Sequence, residues 1–398
     1  MKYISLLAVA CLTWSATSTA DAAAPFYANS RVQGTPSKAG SYIVILKGNN
    51  TADSFMPTFN SIVNRSNARG GLRPKLGQKF RAIPGFTFTA SRATLTELQN
   101  MDEVAYIEED SEVVALGSQA SVPSWGLARV SSRTKGGSTY NYPDSAGSGI
   151  TAYVIDTGIN SAHADFGGRA TMGANFIAGS PNTDENGHGT HVAGTIGGTR
   201  YGVAKKASLV GIKVLARNGR GPTSGIISAV DWVITASRGK RAVINMSLGG
   251  GFSNALNDAV ARANRANIPV FAAAGNDANV DACDGSPSSS PYAMTVGGSD
   301  VDDRAYLDTS PGECVDIIGP AVDITSAWIG GTNAKITISG TSMATPHVAG
   351  VAALYMGADS SLSTPAQVYQ RLQSTATKDQ ISGLHGEPNL LVYNGGGV

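Results

Sequence analysis

Three short segments rich in glycine and alanine carry an acid, an imidazole and a hydroxyl that could act together. Asp156 ends the apolar run Val154-Ile155-Asp156 and precedes Thr157-Gly158. His188 stands between Gly187 and Gly189, and Ser342 follows Ser339-Gly340-Thr341. A serine hydroxyl is a weak nucleophile at neutral pH, so it needs a base to take its proton and a third group to orient that base. Asp156, His188 and Ser342 supply all three parts. Taken singly, Asp156 reads equally as a turn aspartate and Ser342 as a helix-capping serine. His188 and His191 are three residues apart, but no HExxH acid lies between them and no third ligand is evident, which argues against a metal pair. His191 and His347 read as hydrogen-bonded core residues.

These side chains need elements to hold them. Apolar runs at 151–155, 209–214, 242–246, 270–274 and 293–296 read as buried strands, and 223–237 and 254–267 as helices. Continuous apolar strands separated by helices argue for a parallel sheet covered on both faces. Such sheets place ligand-facing groups at the carboxyl ends of strands, where Asp156 stands. Ala193, Gly194 and Gly197 would let the segment after His188 pack tightly. Ser342 is expected at the start of a helix reaching about Met356, with Pro346 in or near its first turn, where a missing N–H costs little. Together these elements make one α/β domain over residues 117–398. Ahead of it, 42–47, 86–89 and 104–107 read as strands of a small α+β module, residues 23–116. Thr94, with Glu97 three residues on, marks a helix start there. Glu108-Glu109-Asp110 closes the module, and GSQASVPS at 117–124 reads as a linker.

At the N-terminus, Lys2 is followed by an apolar run from Ile4 to Trp14 and then by Ala20-Asp21-Ala22. This is the layout of a signal peptide, residues 1–22, and the run falls short of the roughly 20 residues that span a membrane. Cys11 leaves with it, so Cys283 and Cys314 remain. The 398 residues are 42% hydrophobic and 15% charged, enough to bury a large core. Lys+Arg 30 against Asp+Glu 29 gives a net charge of +1, without the one-sided field of a nucleic-acid or anionic-membrane binder. Three cysteines are too few for a disulfide framework and lack the CxxC pairing of a zinc module.

The motifs VIDTGI, NGHGTHVAG, MSLGGG, AAAGND and SGTSMATPHVAG, in this order, resemble the subtilase superfamily of serine endopeptidases and, within it, the proteinase K family. The chain order Asp, His, Ser is that of subtilisin, and no GxSxG elbow occurs. The resemblance covers residues 125–398 and implies a subtilisin-like three-layer α/β domain with a central, mostly parallel sheet. The N-terminal module resembles the family's inhibitor-like propeptide. Carried over by residue, Asp156 orients His188, His188 acts as general base and then general acid, and Ser342 attacks the carbonyl. Asn276 matches the oxyanion-hole asparagine, whose amide works with the Ser342 backbone N–H. Gly219, Arg220 and Gly221, with Ser247, Leu248, Gly249 and Gly250, match the two extended segments that sandwich a substrate strand; glycine there permits close backbone approach.

The same 247–250 segment and Ala273, Ala274 and Gly275 match the walls of the first specificity pocket. These segments carry no charge, so large apolar or aromatic side chains should be favoured before the scissile bond and basic ones disfavoured. Asp316, with the Pro291 and Ala293 carbonyls, matches the family's strong calcium site. Cys283 and Cys314, in the contexts DAC and GECVDI, resemble cysteines that pair in bacterial members. Secreted fungal cuticle-degrading proteases look most similar. The resemblance thus implies a secreted, monomeric endopeptidase acting on proteins and peptides, cuticle proteins among them, with no nucleic-acid or membrane partner. Its own propeptide would inhibit it until autocatalytic cleavage near residues 116–120. Two rivals remain at this stage: a catalytically silent peptide-binding protein on the same fold, and an N-terminal module acting as a free-standing inhibitor or chaperone.

Overall fold

Along the strand Ile150–Asp156 alternate side chains enter two different cores. Ala152 and Val154 join Val192, Ile196, Val348 and Ala352, whereas Tyr153 and Ile155 join Ile226, Val230, Leu256 and Val260. A strand buried on both faces cannot show a polar side, which is why its sequence reads as a continuous apolar run. In a computed structural model that describes residues 23–27, 37–68, 73–80, 84–111 and 116–396, this strand lies third from one edge of a nine-stranded sheet. The expected signal peptide, residues 1–22, lies outside the described residues.

On one side of Ile150–Asp156 lie Ser208–Lys213 and Ala170–Asn175; on the other follow Arg241–Met246, Val270–Ala273, Ala293–Ser299 and Ile317–Pro320. All these pairings are parallel; only the short edge pair Thr377–Lys378 and Leu390–Leu391 is antiparallel. Helices His188–Gly197 and Thr341–Ala358 pack on one face, Thr223–Ala236 and Asn254–Arg265 on the other. This is the three-layer α/β architecture expected.

The first face is packed through small residues. A Cβ on Gly194 would lie 2.3 Å from Ser326 Oγ, one on Gly197 would lie 3.1 Å from Leu209, and one on Gly350 would lie 2.7 Å from the Val203 side chain. Cys283 and Cys314 form a disulfide with Cα atoms 5.4 Å apart, closing a 31-residue separation. On the chain-entropy account such a loop contributes about 3–4 kcal/mol.

Local readings fail in four places. Leu116–Gln119 is not linker but a strand paired antiparallel with Tyr140–Pro143. In the N-terminal unit the helix spans Arg92–Gln99 with Ser91 at its cap, so Thr94 lies buried inside it rather than at its start. The acidic residues 108–110 extend the strand Val104–Ser111 instead of ending it. Pro346 is the sixth residue of the helix Thr341–Ala358, beyond the first turn, so its missing N–H deprives the Ser342 carbonyl of its helical donor.

The N-terminal unit is a compact body of its own. Its five-stranded sheet runs in the order Phe26–Tyr27, Val104–Ser111, Ser37–Leu46, Gly85–Thr89 and Lys75–Lys79. Phe55, Phe59 and Ile62 of the helix Ala52–Ala68 pack with Phe86 and Phe88 in its core. Among the described residues no helix is long and apolar enough to cross a membrane.

Candidate active site

Asp156 ends its strand with none of its surface exposed. Its carboxylate accepts the Thr157 N–H at 2.7 Å and faces His188 Nδ1 at 2.8 and 2.9 Å through its two oxygens. His188 is the first residue of the helix His188–Gly197, with a quarter of its side chain exposed. Burial pulls the imidazole towards its neutral form, but the charge and hydrogen bond of Asp156, helped by the charge of Asp184, outweigh it and raise the His188 pKa above its ordinary value. His191 and His347 are core residues as expected, bonded to the Ile324 and Met343 carbonyls and held neutral by burial, with pKa values lowered to about 3 and about 4.

The glycines beside His188 do more than leave its ring uncrowded. Gly187 has φ +110° and a Cβ there would lie 2.4 Å from the Trp328 ring, while a Cβ on Gly189 would lie 2.1 Å from the Gly158 carbonyl. Sequence reasoning missed Asp184. Its buried carboxylate accepts the N–H groups of Asn186, Gly187 and Thr190 at 2.9–3.0 Å and the hydroxyls of Thr157 and Thr190 at 2.8 and 2.6 Å. It thereby neutralises the helix start and ties it to the strand end that carries Asp156. An acid four residues before a helical histidine was the available signal. Lys213, also missed, is fully buried and donates to the Thr157 and Leu215 carbonyls at 2.9 Å each, fixing the turn after Asp156.

Ser342 is the second residue of its helix, so its backbone N–H is among those without an intrahelical partner. Asn276 Oδ1 accepts the Thr341 N–H at 2.8 Å and the Thr341 hydroxyl at 3.0 Å. That fixes the amide and leaves Nδ2 free to donate beside Ser342, with which Asn276 lines a cavity of about 260 Å³. Ser342 Oγ donates to the Ser247 carbonyl at 3.2 Å; among the described residues no hydrogen bond joins it to His188. His188 lines a neighbouring cavity of about 420 Å³, and Leu248, Gly249 and Gly250 line both. Catalytic hydrogen bonds commonly tighten only when substrate is bound.

The expected substrate-binding residues come to these cavities. Gly219, Arg220, Gly221 and Ser247 line the first; Ala273, Ala274 and Gly275 line the second. Val280, Asp281, Ser288 and Ser310 also line the second. The two wall segments are uncharged as expected, but Asp281, shortly after Gly275 in the chain, also lines this cavity, so the pocket as a whole is not free of charge; Asp281 Oδ1 accepts the Cys283 N–H at 2.8 Å. Asp316 Oδ2 accepts the Thr295 N–H at 2.8 Å; burial pushes its pKa up to about 6, partly offset by that bond. It has no ion-pair partner among the described residues, and Ala293 opens the adjoining strand Ala293–Ser299. A desolvated carboxylate with no ion-pair partner among the described residues has the donor chemistry of a hard, oxygen-seeking ion such as calcium.

Residues 147–390 match the subtilase family. The chain is 43% identical over 362 residues to subtilisin-like protease 2 of Pseudogymnoascus destructans, covering 90% of each protein. It is 46% identical over 322 residues to the cuticle-degrading protease of Metarhizium anisopliae, covering 79% of this chain and 81% of that one. Among solved structures it is similar to a cold-adapted subtilisin-like serine proteinase, with 45% identity and a TM-score of 0.65 over 69% of this chain and 99% of that one. Shared motifs, the three-layer fold and these likenesses agree: the chain belongs to the subtilase family of serine endopeptidases.

Proposed function

We propose that the chain is a secreted precursor in which residues 1–22 are a signal peptide, 23–116 an inhibitory propeptide and 117–398 the endopeptidase. The observation that carries the catalytic reading is the Asp156–His188 hydrogen bond at 2.8 Å, with His188 lining one cavity and Ser342 the neighbouring one. Asp156 holds Nδ1, so His188 Nε2 takes the Ser342 proton as Oγ attacks the substrate carbonyl. Negative charge builds on the former carbonyl oxygen, where Asn276 Nδ2 and the Ser342 N–H donate; losing one such donor costs about 2.7–4 kcal/mol of transition-state stabilisation. His188 then returns the proton to the leaving amine, and water releases the acyl group by the same route. Gly219, Arg220 and Gly221 on one side and residues 247–250 on the other would pair with substrate backbone, so selectivity beyond the first pocket is broad. The cuticle-degrading relative supports structural proteins as substrates, cuticle proteins among them. The silent-binder alternative leaves the oriented Asp156–His188 pair unexplained.

Ser342→Ala should accumulate as unprocessed precursor in a host without similar proteases, detected by mass and N-terminal sequence. Full maturation of that variant would defeat self-processing, and failure of an organophosphonate to label Ser342 in the wild type would defeat the catalytic assignment.

The base must be neutral, and His188 has a raised pKa. Activity should therefore rise with pH along an acid limb whose midpoint lies above about 6.5, the ordinary histidine value. The sign for stability is opposite: the Asp156–His188⁺ attraction stabilises the fold below the unfolded pKa and is lost as pH rises through the folded one. A kcat/KM profile with its acid midpoint well below 6.5 would contradict this, and Asp156→Asn should cut kcat by about 10⁴-fold.

Asp316 with the Pro291 and Ala293 carbonyls would hold calcium, whose role there is structural. Chelation should shorten the half-life at elevated temperature and added calcium should restore it. An inactivation rate indifferent to both means the assignment is wrong.

For specificity, peptides with Phe or Leu before the scissile bond should exceed the Asp counterpart at least tenfold in kcat/KM, about 1.4 kcal/mol. Asp281 makes Arg an intermediate substrate rather than a refused one. Asp281→Asn should lower Arg cleavage while leaving Phe cleavage alone; an unchanged Arg-to-Phe ratio would remove Asp281 from the pocket's chemistry.

A further inference from the structure

We propose that the Ser247 hydroxyl is a positioning group for the nucleophile, standing in for the helical hydrogen bond that Pro346 cannot make. The inference rests on the reading of Ser342 as nucleophile. In the helix Thr341–Ala358 the Ser342 carbonyl would normally accept the N–H of residue 346, and proline has none. Ser247 Oγ donates to that carbonyl instead, at 2.8 Å. The hydroxyl is itself oriented, because Asn245 Nδ2 donates to it at 2.9 Å, so its own proton is directed to Ser342. Asn245 is fully buried and Ser247 is 2% exposed, so no water competes for these groups. A second contact runs the other way, from Ser342 Oγ to the Ser247 carbonyl at 3.2 Å.

Ser247 thus holds Ser342 at both its backbone and its side chain. It also follows directly on the strand Arg241–Met246 and opens the segment whose next residues, Leu248, Gly249 and Gly250, line both cavities. The pair of bonds therefore fixes the nucleophile against the backbone along which substrate would lie, not merely within its own helix. Such registration matters to the chemical step, because small displacements of a reacting group are costly in rate. A helix with an alanine at 346 would bond the same carbonyl internally and have no need of Ser247. The proline transfers control of Ser342 from its own helix to the substrate-binding strand.

The test is a double-mutant cycle on Ser247→Ala and Pro346→Ala, with kcat and KM measured per active site titrated by an organophosphonate, so that misfolded protein does not enter. Ser247→Ala alone should lower kcat about tenfold with KM nearly unchanged, since one buried hydrogen bond is lost at the reacting group and none to substrate. In the Pro346→Ala background, where the restored N–H takes the Ser342 carbonyl, the same change should cost less than about threefold. Equal losses of kcat in the two backgrounds, or a loss confined to KM, would overturn the proposal. If the wild type does not titrate at all, the assignment of Ser342 fails, and that outcome is distinct from either result of the cycle.

Discussion

A carboxylate wholly withdrawn from water must be met by donors or by a positive charge, and Asp156 is such a group. The Thr157 N–H and the His188 ring meet it. Much of the surrounding architecture keeps those donors in place. The strand must end at residue 156, the next turn must fold back, and a helix must begin with His188 directly opposite. Lys213 bonds the Thr157 carbonyl in that turn, and Asp184 collects the loose N–H groups where the helix begins. The site is rigid because several buried polar groups are satisfied at once; removing one leaves others unpaired in a low-dielectric setting.

Close approach is the second condition. The helices carrying His188 and Ser342 lie on the same face of the sheet and are crowded with glycine and alanine, so they approach neighbours at distances a larger side chain would prevent. At Gly187 and Gly189, which flank His188, the crowding comes from the Trp328 ring and the Gly158 carbonyl. The packing that stabilises the domain and the packing that sets the site are the same contacts.

The cleft is bordered by features of a different kind. The Cys283–Cys314 disulfide ties the short 3-10 helix Ala282–Asp284 to the segment ahead of the strand Ile317–Pro320, and Asp281, which caps that helix, accepts the Cys283 N–H. Asp281 thus stands where it lines the cavity that Ser342 and Asn276 also line. Asp316 represents the opposite case, a carboxylate whose pKa burial raises and the Thr295 N–H only partly brings back.

The sequence by itself determined the fold class and the family, and it singled out Asp156, His188, Ser342 and Asn276 as the candidate site. Each is embedded in contiguous residues whose types set both local element and chemistry: an acid closing an apolar run, a histidine between glycines, a serine after Ser-Gly-Thr. The paired cysteines and the cavity-lining glycines were legible through the same motifs. Only the tertiary structure decided what depends on residues remote in the chain. Thr341 fixes the Asn276 amide from 65 positions away, and Ser247 reaches the Ser342 carbonyl across 95. Leu116–Gln119, which reads as linker, becomes a strand once Tyr140–Pro143 offers it a partner. Asp184 is near in sequence to His188, yet its role appears only when the intervening loop curls so that five donors converge. Propensity and motif spacing act over a few residues, whereas hydrogen-bond satisfaction and close packing are settled by whatever the fold brings alongside.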